Sequence, residues 1–218
     1  MEIIKLENMC YEYSEDIKVF ENLNFSLKKG QRIGIVGFNG SGKTTLFSII
    51  MGLAFPQSGN VFLFEDLCAD EKDFTLVRKK MGYLFQDPDD QVFCPTVEED
   101  IAFGPLNLGF GIEDVVKITN DLTKELGIDH LLKRITTKLS WGQKRLVSLA
   151  GVLAMAPEVL ILDEPTASID DTVIKKITNY LKNSDHSLLI ASHDKAFLKE
   201  LCTDIYFLEN NNMVKKEK

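Results

Sequence analysis

Short apolar runs alternate with helical patterns along most of the chain, and several of these runs end directly on polar residues. Apolar segments of this kind, bounded by Gly, Pro or charged residues, are typical of buried strands. The clearest of them cover residues 33–36, 81–85, 159–162 and 188–191. Because segments with helical spacing separate these runs, the pattern predicts an α/β fold with a mostly parallel core sheet.

Segments near both ends of the chain predict antiparallel pairing. Residues 2–36 contain strand-like runs joined by turns, and residues 60–64 also have the composition of a strand. Residues 205–214 predict a hairpin with its turn at residues 210–212, because consecutive Asn residues favour tight turns. We therefore expect an antiparallel β subdomain beside the core sheet.

The middle of the chain predicts a helical insertion. Apolar residues from Val115 to Leu126 follow helical spacing, and a further helix begins near Ser140, where Gln143 completes a capping-box pattern. We therefore predict a single domain over residues 1–218. Its core is expected to cover residues 1–86 and 156–218, with a helical subdomain at about 87–155.

A glycine-rich segment, residues 37–44, joins the first core strand to a predicted helix and matches the P-loop pattern G-x-x-x-x-G-K-[ST]. Glycines let backbone N–H groups turn toward a polyphosphate, and the first turn of the following helix adds its free N–H groups. Lys43 can reach the β- and γ-phosphates, and Thr44 can offer its hydroxyl to Mg²⁺. A chance match is the alternative, but a strand and a helix flank the segment as the motif requires. The residues predicted to bind the phosphates are Gly37, Asn39, Gly40, Ser41, Gly42, Lys43, Thr44 and Thr45.

Polar residues also follow the other core strands, at the sheet edge where ligands of parallel sheets bind. Asp163, with Thr44 and Gln86, suits a Mg²⁺ site of the Walker-B type. Glu164 is placed to polarise the water that attacks the γ-phosphate, Gln86 can bind that water, and His193 can hydrogen-bond the phosphate. Each residue alone has a structural explanation, as a loop residue, a helix cap or a solvated His. Their occurrence together in this order is hard to ascribe to chance.

The 218-residue chain has a net charge of −8, which disfavours non-specific binding to nucleic acid. Its four cysteines are widely spaced without a C-x-x-C pair, so we expect neither a zinc site nor a disulfide framework. The most apolar stretch, residues 146–162, is interrupted by Pro157 and is too short to span a bilayer. The first residues do not resemble a signal peptide. We therefore expect a soluble cytosolic protein that reaches a membrane only through a partner.

Taken together, these motifs resemble the full motif set of the ABC-type ATPases, which are P-loop NTPases. The resemblance covers almost the whole chain and rests on residues 37–44, 86, 139–143, 163–164 and 193. It implies ATP and Mg²⁺ as cofactors, with two subunits clamping two ATP molecules between them. By the same resemblance, Tyr13 stacks on adenine, while Ser140, Gly142 and Gln143 contact the ATP held by the opposite subunit.

A narrower resemblance lies in residues 85–93 and 96–105, which are similar to segments of the ATPases of cobalt/nickel and energy-coupling-factor vitamin importers. It implies an ATPase that powers membrane import of a metal ion or a vitamin. The implied partners are a second ABC ATPase subunit, identical or similar, a transmembrane coupling protein and a substrate-binding membrane subunit. The protein would then be peripheral, at the cytoplasmic face of the cell membrane.

The sequence departs from the family pattern in two places, and two other functions stay open. Trp141 stands where the signature motif usually has its first glycine, which keeps a weakly hydrolysing regulatory subunit as an alternative. A soluble ABC ATPase acting on DNA or ribosomes is the other alternative, and residues 85–93 and the acidic charge argue against it. The second departure lies at the C-terminal end. Many relatives carry a further C-terminal segment that helps dimerisation, whereas this sequence ends soon after His193, so we do not expect a stable nucleotide-free dimer.

Overall fold

The computed structural model describes residues 1–14 and 17–216, which form two sheets with helices packed against them. The strands are β1 (Glu2–Ser14), β2 (Ile17–Lys28), β3 (Arg32–Val36), β4 (Ser58–Leu63), β5 (Asp66–Leu67), β6 (Met81–Leu84), β7 (Val159–Asp163), β8 (Ser187–Ala191), β9 (Asp204–Glu209) and β10 (Asn212–Lys216). The helices are α1 (Lys43–Ile50), α2 (Glu71–Arg78), α3 (Val97–Asn107), α4 (Ile112–Glu125), α5 (Trp141–Ala154), α6 (Asp171–Asn183) and α7 (Lys195–Leu201).

The core sheet has the strand order β10-β9-β3-β8-β7-β6. Its strands from β9 to β6 run parallel, whereas β10 returns antiparallel to β9. Both β7 and β8 are buried along their whole length, which explains why their sequences are continuous apolar runs without alternation. The predicted α/β fold with a mostly parallel core sheet is thus confirmed, and the carboxyl ends of β3, β6, β7 and β8 meet at one edge.

The second sheet has the order β2-β1-β4-β5, and all of its neighbouring strands are antiparallel. Buried residues of this sheet, such as Leu6 and Leu27, share one hydrophobic cluster with Phe47 of α1 and Ile161 of β7. The sheet therefore packs against the helix that follows the P-loop. The predicted antiparallel β subdomain is confirmed, as is the hairpin of β9 and β10 with its turn at Asn210 and Asn211.

The helices α3, α4 and α5 follow one another in the chain between β6 and β7 and pack on one another. The sequence pattern did not identify α3, since Gly104 and Pro105 interrupt its period. Nor did it identify α7, whose seven residues are too few to show a period. The division into a core and a helical subdomain stays a prediction. Within the described ranges, no helix has both the length and the apolarity to cross a bilayer.

Candidate nucleotide-binding site

The P-loop segment between β3 and α1 adopts a backbone that requires glycine. Gly40 and Gly42 have φ angles of 79° and 102°, which residues with side chains rarely adopt. A Cβ atom on Gly42 would also lie 2.6 Å from Val19 Cγ1, so a larger residue is excluded on steric grounds. Among the residues that the structure describes, no side chain caps the first turn of α1, so its N–H groups remain available to an anion.

This segment forms one wall of a cavity of about 540 Å³. The cavity brings together residues that are far apart in the chain: Tyr13 at the end of β1, the P-loop, Gln86 after β6, and Asp163 and Glu164 at the carboxyl end of β7. No sequence motif indicated the remaining wall, because β2 and the β9–β10 turn carry none. That wall consists of Ile17, Lys18, Val19, Glu209, Asn210 and Asn211.

Lys43 is held at the P-loop end of this cavity. Its Nζ atom donates to the Gly37 carbonyl oxygen at 2.9 Å and lies 3.3 Å from His193 Nε2 and 3.7 Å from Glu164 Oε1. Lys43 is only 8% exposed, and a buried ammonium group is destabilising without such partners. Because phosphate oxygens are stronger partners than a carbonyl oxygen, Lys43 is placed to bind a polyphosphate.

Asp163 is buried, and one of its two carboxylate oxygens accepts a hydrogen bond from the described part of the chain. Thr44 Oγ1 donates to Asp163 Oδ2 at 2.7 Å, whereas Asp163 Oδ1 is buried and has no hydrogen-bond partner among the described residues. Burial raises the pKa of this carboxyl, the Thr44 hydrogen bond opposes the rise, and the nearby Glu164 charge adds to it. A hydroxyl and a carboxylate with a free oxygen are the hard ligands that Mg²⁺ prefers, so Thr44 and Asp163 fit the predicted metal.

We expect the Asp163→Asn variant to be more stable than the natural protein when nucleotide and metal are absent. Because folding raises the pKa of Asp163, the folded state binds the proton more tightly than the unfolded state, and the ionised group destabilises the fold at neutral pH. A neutral amide removes this effect and should raise the free energy of unfolding by about 1–3 kcal/mol. Urea denaturation in EDTA measures it. The difference should shrink as the pH falls through the raised pKa, and a variant that is less stable at neutral pH would contradict the prediction.

Glu164 and His193 face each other across the ends of β7 and β8. Glu164 Oε2 accepts the backbone N–H of His193 at 3.1 Å, and Glu164 Oε1 lies 3.3 Å from His193 Nε2. His193 Nε2 also lies 3.0 Å from Asn39 Oδ1. The backbone of Glu164 has a φ of 44°, an unfavourable conformation that is typical of functional sites. One carboxylate oxygen is thus fixed by the backbone, while the other is available to a ligand.

Gln86 is exposed and lies between two spaces, the P-loop cavity and a neighbouring cleft of about 580 Å³. Thr44 and Asp163 also line this cleft, so the candidate metal ligands contact both spaces. The cleft continues past residues that lie outside the P-loop cavity. These include Asp87, Asp90 and Trp141.

Tyr13 lies at the exposed mouth of the cavity. Its hydroxyl is 2.8 Å from Thr45 Oγ1, and its ring packs edge-on against Tyr11 with 5.2 Å between the centroids. The side chain is 64% exposed, so one face of the ring is free to stack on a flat ligand. Cross-strand packing is the structural alternative for a tyrosine in a strand, and it fits the more buried Tyr11 better than Tyr13.

Ser140, Gly142 and Gln143 do not line the P-loop cavity. The predicted capping box is present, since Ser140 Oγ accepts the Gln143 N–H at 3.3 Å and Gln143 Oε1 accepts the Ser140 N–H at 3.0 Å. A Cβ atom on Gly142 would lie 3.0 Å from Val173 Cγ2 of α6. These residues are therefore separate from the site of their own subunit, and the contact with ATP that we expect of them requires a second subunit.

Arg145 is a candidate site residue that the sequence analysis missed. It lies in the second turn of α5 and is fully buried, and its Nη1 donates to the Phe85 carbonyl oxygen at 2.5 Å. Its Nη2 donates to the carbonyl oxygen of Gln86. Burial lowers the pKa of this guanidinium to about 10. A basic residue next to Leu146, on the apolar face of a predicted helix, was the signal available in the sequence.

Comparison with known proteins agrees with this geometry. The family model described as "ABC transporter" matches residues 20–167. The energy-coupling factor transporter ATP-binding protein EcfA of Methanocaldococcus jannaschii is 37% identical over 220 residues, which cover 99% of this chain and 79% of that protein. Among solved structures, CbiO1 of Clostridium perfringens, part of the ABC transporter complex CbiONQ, aligns with a TM-score of 0.86 and 34% identity over 98% of this chain and 87% of that one.

A second solved structure shows a dimer of the same fold. It is a dimeric ATP-binding cassette in a post-hydrolysis state with bound ADP and Pi, and it aligns with a TM-score of 0.87 and 25% identity over 99% of both chains. The family match covers more than half of the chain, and it includes the P-loop and the carboxylates that end β7. The chain therefore belongs to the ABC transporter family, as an ATP-hydrolysing ATP-binding cassette that resembles the ATPases of energy-coupling-factor and cobalt importers.

Proposed function

We propose that this ATPase is part of a membrane import complex, in which ATP binding and hydrolysis drive the uptake of a metal ion such as cobalt or nickel, or of a vitamin. The observation that carries the proposal is the cleft beside the nucleotide site, which joins Gln86 and Asp163 to the acidic residues Asp87 and Asp90. The names of two relatives support it, since EcfA is an energy-coupling factor transporter protein and CbiO1 is part of CbiONQ.

In the proposed mechanism, the triphosphate of ATP lies along the P-loop, against Lys43 and the first turn of α1. Lys43 exchanges its contact with the Gly37 carbonyl oxygen for phosphate oxygens. Thr44, Asp163 and Gln86 would hold Mg²⁺, which when bound neutralises charge on the β- and γ-phosphate oxygens. Tyr13 stacks on the base at the exposed mouth of the cavity.

Glu164 then acts as the general base. Its Oε1, which accepts no hydrogen bond among the described residues, takes a proton from the water that attacks the γ-phosphate, while Oε2 remains fixed by the His193 N–H at 3.1 Å. His193 contacts the γ-phosphate through Nε2, which in this structure lies beside Lys43 and Asn39. The group that accepts the proton and the groups that stabilise the charge are thereby held at one edge of the core sheet.

The working unit is a dimer, formed with a second copy of this chain or with a similar ATPase. Ser140 and Gly142 do not line the cavity of their own subunit, and a partner would bring the start of α5 over the phosphates. The solved relative with ADP and Pi is a dimer, which supports the proposal. ATP bound by both subunits would close the dimer, and hydrolysis would release it.

A transmembrane coupling protein and a substrate-binding membrane subunit complete the complex, which holds the ATPase at the cytoplasmic face of the membrane. The cleft with Asp87 and Asp90 is proposed to receive a basic helix of the coupling protein. Asp89, the other exposed acidic residue of this loop, forms an ion pair with Lys144 of α5. Asp90 is therefore the better candidate for contact with a partner.

We expect the Asp90→Arg variant to lose assembly with its membrane partners and transport, while its basal ATPase activity survives. A positive charge in the acidic cleft would repel a basic helix, and like charges at a docking surface are strongly unfavourable. Co-purification of membrane proteins and uptake by reconstituted vesicles measure the effect. Asp121→Arg, an exposed substitution on α4, is the matched control. Unchanged assembly and uptake in the Asp90 variant would leave Asp90 as a solvated loop residue.

A regulatory subunit with little turnover of its own is the second candidate. Trp141 favours it, because a bulky residue replaces glycine at the start of α5, beside the groups expected to contact the partner's ATP. Phosphate release from the isolated chain and from the assembled complex separates the two functions. The proposed function requires turnover that depends on the Glu164 of this chain, whereas a regulatory subunit would leave turnover to its partner.

A further inference from the structure

Two glutamine side chains, Gln57 and Gln91, hold strand backbone in the same way at two different places. Gln57 Oε1 accepts the N–H of Glu12 at 3.0 Å, and Gln57 Nε2 donates to the carbonyl oxygen of Glu12 at 2.8 Å. Gln91 Oε1 accepts the N–H of Phe85 at 3.1 Å, and Gln91 Nε2 donates to the carbonyl oxygen of Tyr83 at 2.9 Å. Each amide orientation is fixed, because a backbone N–H can only donate and a carbonyl oxygen can only accept.

Each amide takes the place of a neighbouring strand. The register of β1 with β4 ends where Cys10 faces Ser58, so Glu12 lies beyond that ladder and Gln57, just before β4, extends it. β6 is the last strand of the core sheet, so its outer side lies at the sheet edge, where Gln91 pairs with it. A backbone group that lacks a partner leaves a strand end free to bend, and these amides remove that freedom.

The two clamped segments lead directly into two predicted nucleotide contacts. Glu12 precedes Tyr13, the candidate for stacking on the base, and Phe85 precedes Gln86, the candidate for the metal and the water. Neither glutamine lines the P-loop cavity. Their effect on a bound nucleotide must therefore pass through the backbone that they hold.

We propose that Gln57 and Gln91 are positioning residues with separable effects. Gln57 fixes the direction of the Tyr13 ring and so sets nucleotide affinity. Gln91 fixes the backbone just before Gln86 at the strand edge, and so sets metal binding and turnover. Arg145 holds the carbonyl oxygens of Phe85 and Gln86 in the same segment. This inference rests on the roles proposed above for Tyr13 and Gln86.

The test compares Gln57→Met with Gln91→Met in the full chain. The same substitution removes two backbone hydrogen bonds at each place and keeps the side-chain length, so each variant is the control for the other. Gln57→Met should weaken ADP binding, measured by calorimetry in EDTA, by about fivefold to tenfold, since stacking of one base is worth roughly a factor of 5 to 150. Gln91→Met should leave this affinity within about twofold, because it does not hold the base end of the site.

Gln91→Met should change the two quantities that depend on bound Mg²⁺, the Mg²⁺ requirement and kcat. In the Glu164→Gln background loaded with ATP, the Mg²⁺ concentration that gives half of the thermal stabilisation should rise by about tenfold. With Glu164 intact, kcat should fall by about tenfold or more, because a small displacement of a positioned group can reduce a rate by up to about a hundredfold. Gln57→Met should leave both the Mg²⁺ requirement and kcat within about twofold. If a Met variant fails to fold, Gln57→Glu or Gln91→Glu keeps the acceptor and removes the donor.

Double variants decide whether each glutamine acts through its neighbour. Gln57→Met should have no further effect once Tyr13→Ala is present, and Gln91→Met none once Gln86→Ala is present. Additive losses, or two glutamine variants that change the same quantity equally, would overturn the inference. If Tyr13→Ala and Gln86→Ala are themselves without effect, the proposed roles of those residues fail first. If they have effects while the glutamine variants do not, the inference alone fails.

Discussion

The Glu164→Gln variant should hydrolyse ATP at least about a hundredfold more slowly than the natural protein, because general-base catalysis contributes a factor of this size. It should bind ATP with similar affinity. The amide keeps the shape of the carboxylate, and its oxygen can still accept the His193 N–H that now binds Glu164 Oε2 at 3.1 Å. It cannot take a proton from water. Phosphate release at saturating ATP, together with calorimetric titration of ATP, separates chemistry from binding.

Glu158→Gln is the matched control for this variant. Glu158 precedes β7 and Glu164 follows it, so the two acids lie at opposite ends of one buried strand. Glu158 is paired with Lys29 at 3.7 Å and lines a different cavity, so its loss should leave hydrolysis unchanged. If the Glu164 variant hydrolysed ATP near the natural rate, Glu164 would not be the base.

The same variant also reports on dimer closure through Trp141. With Mg-ATP and no hydrolysis, the closed dimer should accumulate, and the emission of Trp141, which is 36% exposed, should shift. Because closure joins two molecules, the size of the shift should rise with protein concentration. A response that does not depend on concentration would instead indicate a change within one subunit or a dimer that already exists.

Lys43→Ala should weaken ATP binding itself, by about thirtyfold to several thousandfold, which corresponds to the loss of one partner of a buried, hydrogen-bonded charge pair. Lys43 is nearly buried, and its ammonium group lies between the P-loop carbonyl oxygens and the acidic end of β7. Without it, the negative charge of a triphosphate next to Glu164 would be left without its nearest counter-charge. Calorimetric titration of ATP measures the loss.

Lys18→Ala provides the comparison for Lys43→Ala. Lys18 lines the same cavity, but its ammonium group is exposed and pairs with Glu21 at 2.6 Å. An exposed pair contributes little, so this variant should bind ATP within a few-fold of the natural protein. Equal losses in both lysine variants would mean that the cavity attracts ATP by its general charge and not through the P-loop contact.

Much of the site could be predicted because its residues follow local patterns. A P-loop is a contiguous segment, and its glycines are required by backbone angles of that segment, as the φ of 102° at Gly42 illustrates. The polar residues after β6, β7 and β8 could be placed as well, since buried parallel strands are continuous apolar runs that end abruptly. The parallel topology brings these strand ends to one edge of the sheet. The alternation of strands with helices along the sequence predicts that topology.

Other parts of the site had only a weak local signal or none. Arg145 lies among apolar residues of α5, and only the structure shows that its guanidinium holds the carbonyl oxygens of Phe85 and Gln86. The hydrogen bonds between a glutamine side chain and strand backbone could not be predicted either, because Gln57 and Glu12 are 45 residues apart in the chain. The helix α3 was missed for a different reason, since Pro105 breaks the period that identifies a helix.

The sequence by itself determined the class of fold, and it predicted the glycine-rich loop and the acids at the core strand ends as site residues, because each of these depends on the spacing of neighbouring residues. Only the tertiary structure decided which side chains complete the site from a distance, such as the wall of Lys18 and Asn211 in the P-loop cavity. It also separated Asp89, paired with Lys144, from Asp90, which lines the cleft. Such contacts depend on the packing of α5 against the end of β6 and of β2 beside β10, and neither is encoded in a short stretch of sequence.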